Sequence, residues 1–180
     1  ELALPIIMAP MAGACPPGLA AAVSNAGGMG ACGALMLDSR QIKEWTKEFK
    51  SRTNGSLLLN TWVPGPEPTR DYEHEKQLVE FLSRFAPGMS TSVTDASCVS
   101  FEEQCKAMLD CDPNVISSIM GLFKPSFVSE LKKRGIKWFA TVTSVSEAII
   151  AEEAGADALV VQGFEAGGHR GNFCTDYDQS

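Results

Sequence analysis

Short apolar runs alternate with longer segments of helical period along almost the whole chain. The runs have strand length and are hydrophobic throughout, which is typical of strands buried on both faces of a parallel sheet. We therefore predict a parallel α/β fold with six strands, in which every strand but the last is followed by a helix. The predicted strands comprise residues 5–12, 30–37, 56–64, 115–121, 136–144 and 157–163.

The segments between the runs carry helix signals. In residues 38–55, Ile42, Trp45 and Phe49 recur at helical spacing, after an Asp-Ser pair that supplies an N-cap and before an Asn-Gly stop. The predicted helical segments comprise residues 17–28, 38–55, 71–88, 101–114, 124–135 and 144–156.

Two architectures fit this alternation, a doubly wound open sheet and a TIM (β/α)8 barrel. Residues 28–33 read GMGACG and match the dinucleotide fingerprint G-x-G-x-x-G, but that fingerprint must follow a strand and open a helix. Here it follows a predicted helix and opens a predicted strand, which argues against a dinucleotide site. Glycine and polar residues gather instead after the carboxyl ends of the strands, where barrel enzymes build their active sites. We expect a partial TIM barrel with about six βα units.

Composition and charge narrow the classes of function. Hydrophobic residues make up 44% of the chain and charged residues 21%, as in globular proteins. The net charge of −7 repels phosphate backbones and anionic lipids, so we expect neither nucleic-acid nor membrane partners. No apolar run reaches the ~18 residues of a membrane span, and the first ten residues lack the basic start of a signal peptide. We expect a cytoplasmic protein.

Six cysteines raise the question of a disulfide framework or a metal site. None forms a Cys-x-x-Cys pair, and no histidine lies near the closest two, Cys105 and Cys111. We expect buried free thiols in a reducing cytosol, and no metal.

His169 is the residue best placed for chemistry. It lies in the sequence QGFEAGGHRG, directly after the last predicted strand, with Gly167, Gly168 and Gly171 around it. Glycines let a backbone approach a ligand closely, and an imidazole suits proton abstraction or hydrogen bonding to an anion near neutral pH. The alternative is a loop histidine that only bonds a backbone carbonyl. His74, the other histidine, lies among acidic residues of a polar helix, and we assign it no role.

Further residues at the predicted strand ends could contact a ligand. Pro10 stiffens the backbone so that the Met11 amide could face a ligand edge, or the stretch could be only a tight strand-to-helix turn. Asn60 and Gln162 carry amides that suit the uracil-like edge of a flavin, or they could cap loop carbonyls. Arg170 could hold a carboxylate or a phosphate, or it could form a surface salt bridge.

Three stretches carry a wider resemblance. They are PIIMAPMAG with LAAAVSNAGGMG, LLLNTWVP, and above all GADALVVQGFEAGGHRG. Together they resemble the nitronate monooxygenase family, formerly called 2-nitropropane dioxygenases, which are FMN-dependent TIM-barrel enzymes. The resemblance spans essentially the whole chain but only the first part of the family's barrel. We therefore expect residues 1–180 to form a single partial FMN-binding barrel domain, truncated at its C-terminus.

The resemblance implies roles for particular residues. His169 would lie over the flavin as the catalytic base or substrate-binding group. FMN would contact the Ala-Pro-Met segment, the amides at the strand ends and the glycine-rich loop. These cofactor-binding positions are Ala9, Pro10, Met11, Asn60, Gln162, Gly163, Ala166, Gly167 and Gly168.

The reaction implied by the resemblance is the oxidation of an alkyl nitronate, such as propionate 3-nitronate, with O2 to a carbonyl compound and nitrite. The expected partners are this small-molecule substrate and O2, and a homo-oligomer is an option. Two alternatives stay open. One is an FMN-dependent enoyl-acyl-carrier-protein reductase that uses NADH and has a similar glycine-histidine loop. The other is an inactive truncated member of the family.

Overall fold

A computed structural model describes residues 2–66, 69–86 and 99–174 of the chain. The chain divides into a larger compact unit, residues 1–65 with 99–180, and a smaller one, residues 66–98. The larger unit contains a five-stranded parallel sheet in the order β1-β2-β3-β4-β5. Its strands are β1 (Met29–Gly33), β2 (Ser56–Trp62), β3 (Val115–Ile119), β4 (Lys137–Val142) and β5 (Ala158–Val161). Its helices are α1 (Pro17–Asn25), α2 (Ser39–Arg52), α4 (Phe101–Asp110), α5 (Pro125–Arg134) and α6 (Val145–Glu153); helix α3 (Tyr72–Leu82) lies in the smaller unit.

The strands lie side by side in the order in which they occur along the chain. Right-handed crossovers between strands in this order place all the connecting helices on one face of the sheet. A doubly wound sheet reverses its strand order at a switch point and carries helices on both faces. The observed topology is therefore that of consecutive βα units of a barrel, as the alternation predicts.

The segment predicted as the first strand, residues 5–12, differs from the prediction. It forms one parallel bridge, between Ile7 and Met29, in which Met8 N–H donates to the Met29 carbonyl over 2.9 Å. In this register the next N–H to donate to β1 would be that of residue 10, which is proline and has none, so the ladder cannot extend past Pro10. In the part of the chain that the structure describes, five strands are thus assigned, whereas the sequence predicts six.

Helix α2 forms where its periodicity predicts. Asp38 is the N-cap and makes a capping box with Gln41, in which each side chain accepts a hydrogen bond from the other residue's backbone N–H. Ile42 and Phe49 are buried against the sheet, and Trp45 stacks on Phe49 with the ring centroids 5.8 Å apart. The apolar stripe read from the sequence is the face that packs.

The glycines of GMGACG serve protein packing. Helix α1 ends before them and β1 begins at Met29, so the order is helix then strand, as predicted. A Cβ on Gly30 would collide with the carbonyl of Ala20 and lie 2.8 Å from Ser24 Oγ, so this glycine lets α1 approach β1 closely. The Ser24 hydroxyl fills the remaining space and donates to the Ser56 carbonyl over 2.8 Å.

The smaller unit follows β2 in the sequence. Its helix α3 begins after Asp71, whose carboxylate accepts a hydrogen bond from the His74 backbone N–H over 3.0 Å. The His74 side chain is exposed, as its polar surroundings predict. None of the helices in the described parts of the chain is both long enough and apolar enough to cross a membrane.

Candidate functional site

The candidate site lies at the carboxyl edge of the parallel sheet. Thr61 of β2 bonds Gln104 of α4 and so faces the helix layer, and side chains alternate along a strand. Asn60 and Trp62 therefore face the opposite side of the sheet, near its carboxyl edge. A cavity of about 520 Å³ lies at the other end of the strands, among residues that begin them, and we do not assign the chemistry to it.

The imidazole of His169 is exposed and packs against Trp62. The two ring centroids are 4.8 Å apart and the rings meet edge to face at 67°. His169 follows β5, whereas Trp62 ends β2, which is three strand spacings or about 14 Å away in a flat sheet. The loop after β5 therefore folds back over the non-helical face and brings the predicted catalytic residue onto β2.

The Gln162 side chain hydrogen-bonds two backbone groups of this folded-back loop. Its Nε2 donates to the His169 carbonyl oxygen over 2.9 Å, and its Oε1 accepts from Gly171 N–H over 2.7 Å. Of the two alternatives for the Gln162 amide, a flavin contact or the capping of loop backbone groups, the structure shows the capping. A contact between Gln162 and a flavin stays a prediction, because a carbonyl oxygen has a second lone pair to offer.

The loop continues across the sheet beyond His169. A Cβ on Gly171 would lie 2.7 Å from Ile119 Cγ1 and 3.3 Å from Thr141 Cγ2, so the backbone there lies directly on β3 and β4. Next along the chain, the N–H groups of Phe173 and Cys174 donate to Glu147 Oε1 over 2.6 and 3.0 Å. The loop is therefore held by Gln162 at His169 and Gly171, and by Glu147 of α6 a few residues further on.

Glu147 is a residue that the sequence analysis missed. Its carboxylate is 1% exposed, and Oε2 accepts from the Thr143 N–H and hydroxyl over 2.7 and 2.9 Å. Burial alone raises the pKa of this carboxyl, but the hydrogen bonds from Cys174, Phe173 and Thr143 outweigh it and hold the pKa below its ordinary value. The sequence Ser-x-x-Glu signals a capping box, and Ser144 does cap α6, but nothing in the sequence indicates the long-range partners.

The Ala9-Pro10-Met11 segment is a tight turn. Met11 N–H approaches the Ala9 carbonyl oxygen (3.0 Å) and the Cys15 sulfur (3.1 Å), and the Cys15 thiol donates to the same carbonyl over 3.2 Å. The Met11 amide therefore serves the turn, which is the second of the two alternatives for this stretch. The Met11 side chain is 47% exposed and available for contact. Gly33, at the end of β1, has the turn directly against its Cα.

Asn60 has one polar atom to spare. Its Nδ2 donates to Ser117 Oγ over 2.9 Å, while its Oδ1 accepts no hydrogen bond from any residue that the structure describes. The side chain is only 6% exposed, so an acceptor is presented at the site by a nearly buried, fixed amide. Such an acceptor suits a ring N–H of the kind that a flavin carries at its uracil-like edge. The residues present thus fit the cofactor that the resemblance implies.

The remaining loop positions are small and open. Gly168 has φ +85°, a conformation that favours glycine, and a Cβ on Gly167 would meet nothing within 4 Å. Ala166 N–H donates to the Gly163 carbonyl over 3.2 Å in a turn. Arg170 is exposed and forms no ion pair with the described residues. A surface salt bridge, one of the two alternatives for this residue, is therefore not formed with them.

Four of the described cysteines are buried, and one of them, Cys15, contacts the Ala9-Pro10-Met11 turn. The thiols of Cys15, Cys32, Cys105 and Cys111 form no disulfide, and Cys98 lies outside the described residues. Burial raises the pKa of Cys32 to about 12, so its thiol stays protonated and unreactive at neutral pH. In the described ranges, no three His, Cys, Asp or Glu side chains are grouped closely enough to hold a metal ion.

Comparison with known sequences identifies relatives along the whole described chain. The family model for nitronate monooxygenase matches residues 1–179. The chain is 35% identical over 178 residues to a nitronate monooxygenase of Paraburkholderia phytofirmans, covering 96% of this chain and 48% of that protein. It is 34% identical over 179 residues to a probable nitronate monooxygenase of Staphylococcus aureus, covering 97% and 50%. The chain spans about half the length of the curated relatives it matches.

Solved structures agree. The nitroalkane oxidase of Streptomyces ansochromogenes superposes with a TM-score of 0.84 at 30% identity, over 98% of this chain and 51% of that one. FabK of Thermotoga maritima superposes with a TM-score of 0.69 at 27% identity, over 95% and 44%. These likenesses confirm the predicted α/β partial-barrel fold. With the match of the family model over nearly the entire chain, they show that the chain belongs to the nitronate monooxygenase family.

Proposed function

We propose that the protein containing this chain is a flavin-dependent oxidoreductase that oxidises alkyl nitronates with O2 to a carbonyl compound and nitrite. The observation that carries the proposal is the placement of His169, exposed at the carboxyl edge of the sheet and held against Trp62. Active sites of barrel enzymes lie at this edge. Membership of the nitronate monooxygenase family supports the choice of reaction.

We propose FMN as the cofactor, and bound FMN would supply the electron acceptor for this oxidation. The Ala9-Pro10-Met11 turn, Asn60 and the glycine loop would hold it. Asn60 offers a fixed amide oxygen, and the glycines at 167 and 168 leave the backbone open to close approach. Gln162 would contact the cofactor and would also hold the loop through its hydrogen bonds to the backbone of His169 and Gly171.

His169 would act on the substrate. A ring nitrogen of histidine can carry a proton or offer a lone pair, so the side chain can donate a hydrogen bond to a nitronate anion or take a proton from the corresponding neutral nitro compound. The ring is exposed, so a small anion can reach it, and the edge-to-face contact with Trp62 restricts its orientation. We propose a small nitronate and O2 as the partners, and a cytoplasmic location.

The proposal is tested by oxygen consumption of the purified protein containing this chain. We expect a yellow protein that takes up O2 when an alkyl nitronate such as propionate 3-nitronate is added, with nitrite formed and no NADH required. Oxidation of NADH with an enoyl thioester, together with inertness towards nitronates, would instead establish the reductase alternative. A colourless protein with neither activity would mean an inactive family member.

A further inference from the structure

Glu147 is buried, and it forms none of the ion pairs found among the described residues. It accepts four hydrogen bonds, two at Oε2 from Thr143 and two at Oε1 from the N–H groups of Phe173 and Cys174, and none of these donors carries a charge. An ionised carboxylate is costly to bury unless its lone pairs are satisfied, and four donors satisfy them. The four hydrogen bonds therefore offset the cost of removing the carboxylate from water, and they tie it to Thr143, Phe173 and Cys174.

The two oxygens of Glu147 hold different parts of the chain. Thr143 lies at the end of β4 beside α6, so the Oε2 bonds stay within the strand-to-helix junction. Phe173 and Cys174 lie 26 and 27 residues further along, after the loop that carries His169. Capping of α6 itself is already provided by the Ser144 hydroxyl, which accepts the Glu147 N–H over 3.2 Å. The Oε1 bonds are therefore not needed to begin the helix.

Hydrogen bonds hold the chain at His169 itself and again a few residues beyond it. The contact described for its ring is the edge-to-face packing on Trp62. Its backbone is held by Gln162 on one side, through the His169 carbonyl and the Gly171 N–H, and the chain is next held at Phe173 by Glu147. Between those ties the glycines give the backbone wide conformational freedom, and Gly171 also packs closely on Ile119 and Thr141.

We propose that Glu147 is a positioning residue that fastens the far end of the loop and thereby keeps His169 over the carboxyl edge of the sheet. Its effect on turnover rests on the function proposed above, whereas its effect on the loop does not. Glu147 does not touch the substrate in this account; it acts through Phe173, Cys174 and the loop backbone.

The test uses Glu147→Met and Glu147→Gln in the flavin-loaded protein, with Glu152→Met and Glu152→Gln as controls. Glu152 is exposed on the same helix, so the controls make the same change in charge and size without touching the loop. Methionine offers no oxygen acceptor. Glutamine keeps one neutral oxygen for Phe173 and Cys174, and its NH2 group can face the Thr143 hydroxyl.

Hydrogen exchange measures the loop directly. In Glu147→Met we expect exchange at the Phe173 and Cys174 amides to accelerate about tenfold or more, with the β-sheet amides unchanged, and in Glu147→Gln about threefold. If methionine prevents folding, the glutamine variant carries the test against its own control. Wild-type exchange at both amides, or acceleration spread evenly over the sheet, would overturn the proposal.

Turnover and a histidine resonance separate positioning from general stability. We expect kcat for the nitronate to fall about tenfold or more in Glu147→Met with flavin absorbance retained, and the His169 ring proton to lose the ring-current shift from Trp62. An unchanged His169 resonance would overturn the proposal. If the loop responds as expected but the wild-type protein has no activity on nitronates, the proposed function fails and the positioning role of Glu147 stands.

Discussion

Replacing Gly33 by alanine tests how the strand end shapes the cofactor site. A Cβ at this position would lie 2.9 Å from both the Ala12 amide nitrogen and the Pro10 carbonyl oxygen, and 3.1 Å from the Met11 carbonyl carbon. Ordinary contacts of this kind are about 3.4 Å or longer, so the turn would have to move away by about 0.5 Å. All three contacts are with backbone atoms, which no side-chain rotation can relieve.

The magnitude follows from the cost of overpacking, about 1–3 kcal/mol for an added methyl group in a packed place. The turn is on the exposed side of the strand end, so we expect the strain to be relieved by displacing the Pro10-Met11 segment. If this segment contacts the flavin, that displacement weakens flavin binding by about 5- to 150-fold, since each 1.4 kcal/mol corresponds to a factor of ten.

The assay is a fluorescence titration of the apoprotein with FMN, accompanied by urea unfolding. Gly30→Ala is the matched control, because its Cβ collides with Ala20 and Ser24 of α1 on the other face of the same strand. We expect Gly30→Ala to lower stability and leave the Kd for FMN unchanged, and Gly33→Ala to raise the Kd. FMN binding by Gly33→Ala with wild-type affinity would refute the assignment of the Ala9-Pro10-Met11 turn to the cofactor site.

Three further changes have defined outcomes. Trp62→Leu removes a ring contact worth about 0.5–1.5 kcal/mol, so the His169 ring should become mobile. An NMR spectrum in which the His169 proton shifts keep their wild-type values would contradict this expectation. Asn60→Leu deletes the free amide oxygen and should weaken FMN binding about 2- to 13-fold. The control Ser117→Ala removes only the neighbouring hydroxyl and should change the Kd for FMN less. Equal effects of the two substitutions would argue against a direct role of the amide. Burial raises the pKa of the Cys32 thiol from 9.0 to about 12. The buried thiol therefore stabilises the fold fully below pH 9 and loses that contribution as the pH rises towards 12, because the thiol of the unfolded chain ionises first. Between pH 9 and 12 the urea midpoint should fall more in the wild type than in Cys32→Ala. If Cys32 of the folded protein were alkylated at pH 8 as fast as in the unfolded chain, the burial argument would be contradicted.

The sequence predicts the architecture because its strongest signals are local. The strands from β1 to β5 lie within short, mainly apolar runs, and α2 combines a capping box and an apolar stripe within one segment. The exception, residues 5–12, has the hydrophobicity of a strand, but Pro10 stands where the next ladder N–H would be needed. Here composition favours a strand, and backbone hydrogen bonding decides against it.

The site is only partly predictable, because its contacts are made between distant segments. His169 is found from its glycine-rich loop after a strand, which is a local pattern. Its contact with Trp62 requires the loop after β5 to reach β2, and no pattern in either segment specifies that pairing. The same holds for Glu147, whose local signature indicates a helix cap while Oε1 binds the chain 26 residues further on.

The most direct measurement of the central claim compares turnover in His169→Asn and His74→Asn, which change the two histidines of the chain one at a time. Loss of acid–base or hydrogen-bonding assistance typically costs a factor of about 100 or more. We predict that His169→Asn retains bound flavin but loses about 100-fold or more of the nitronate-dependent O2 uptake, and that His74→Asn is as active as the wild type. Nitronate-dependent uptake in His169→Asn at the wild-type rate, with flavin bound, would contradict the account.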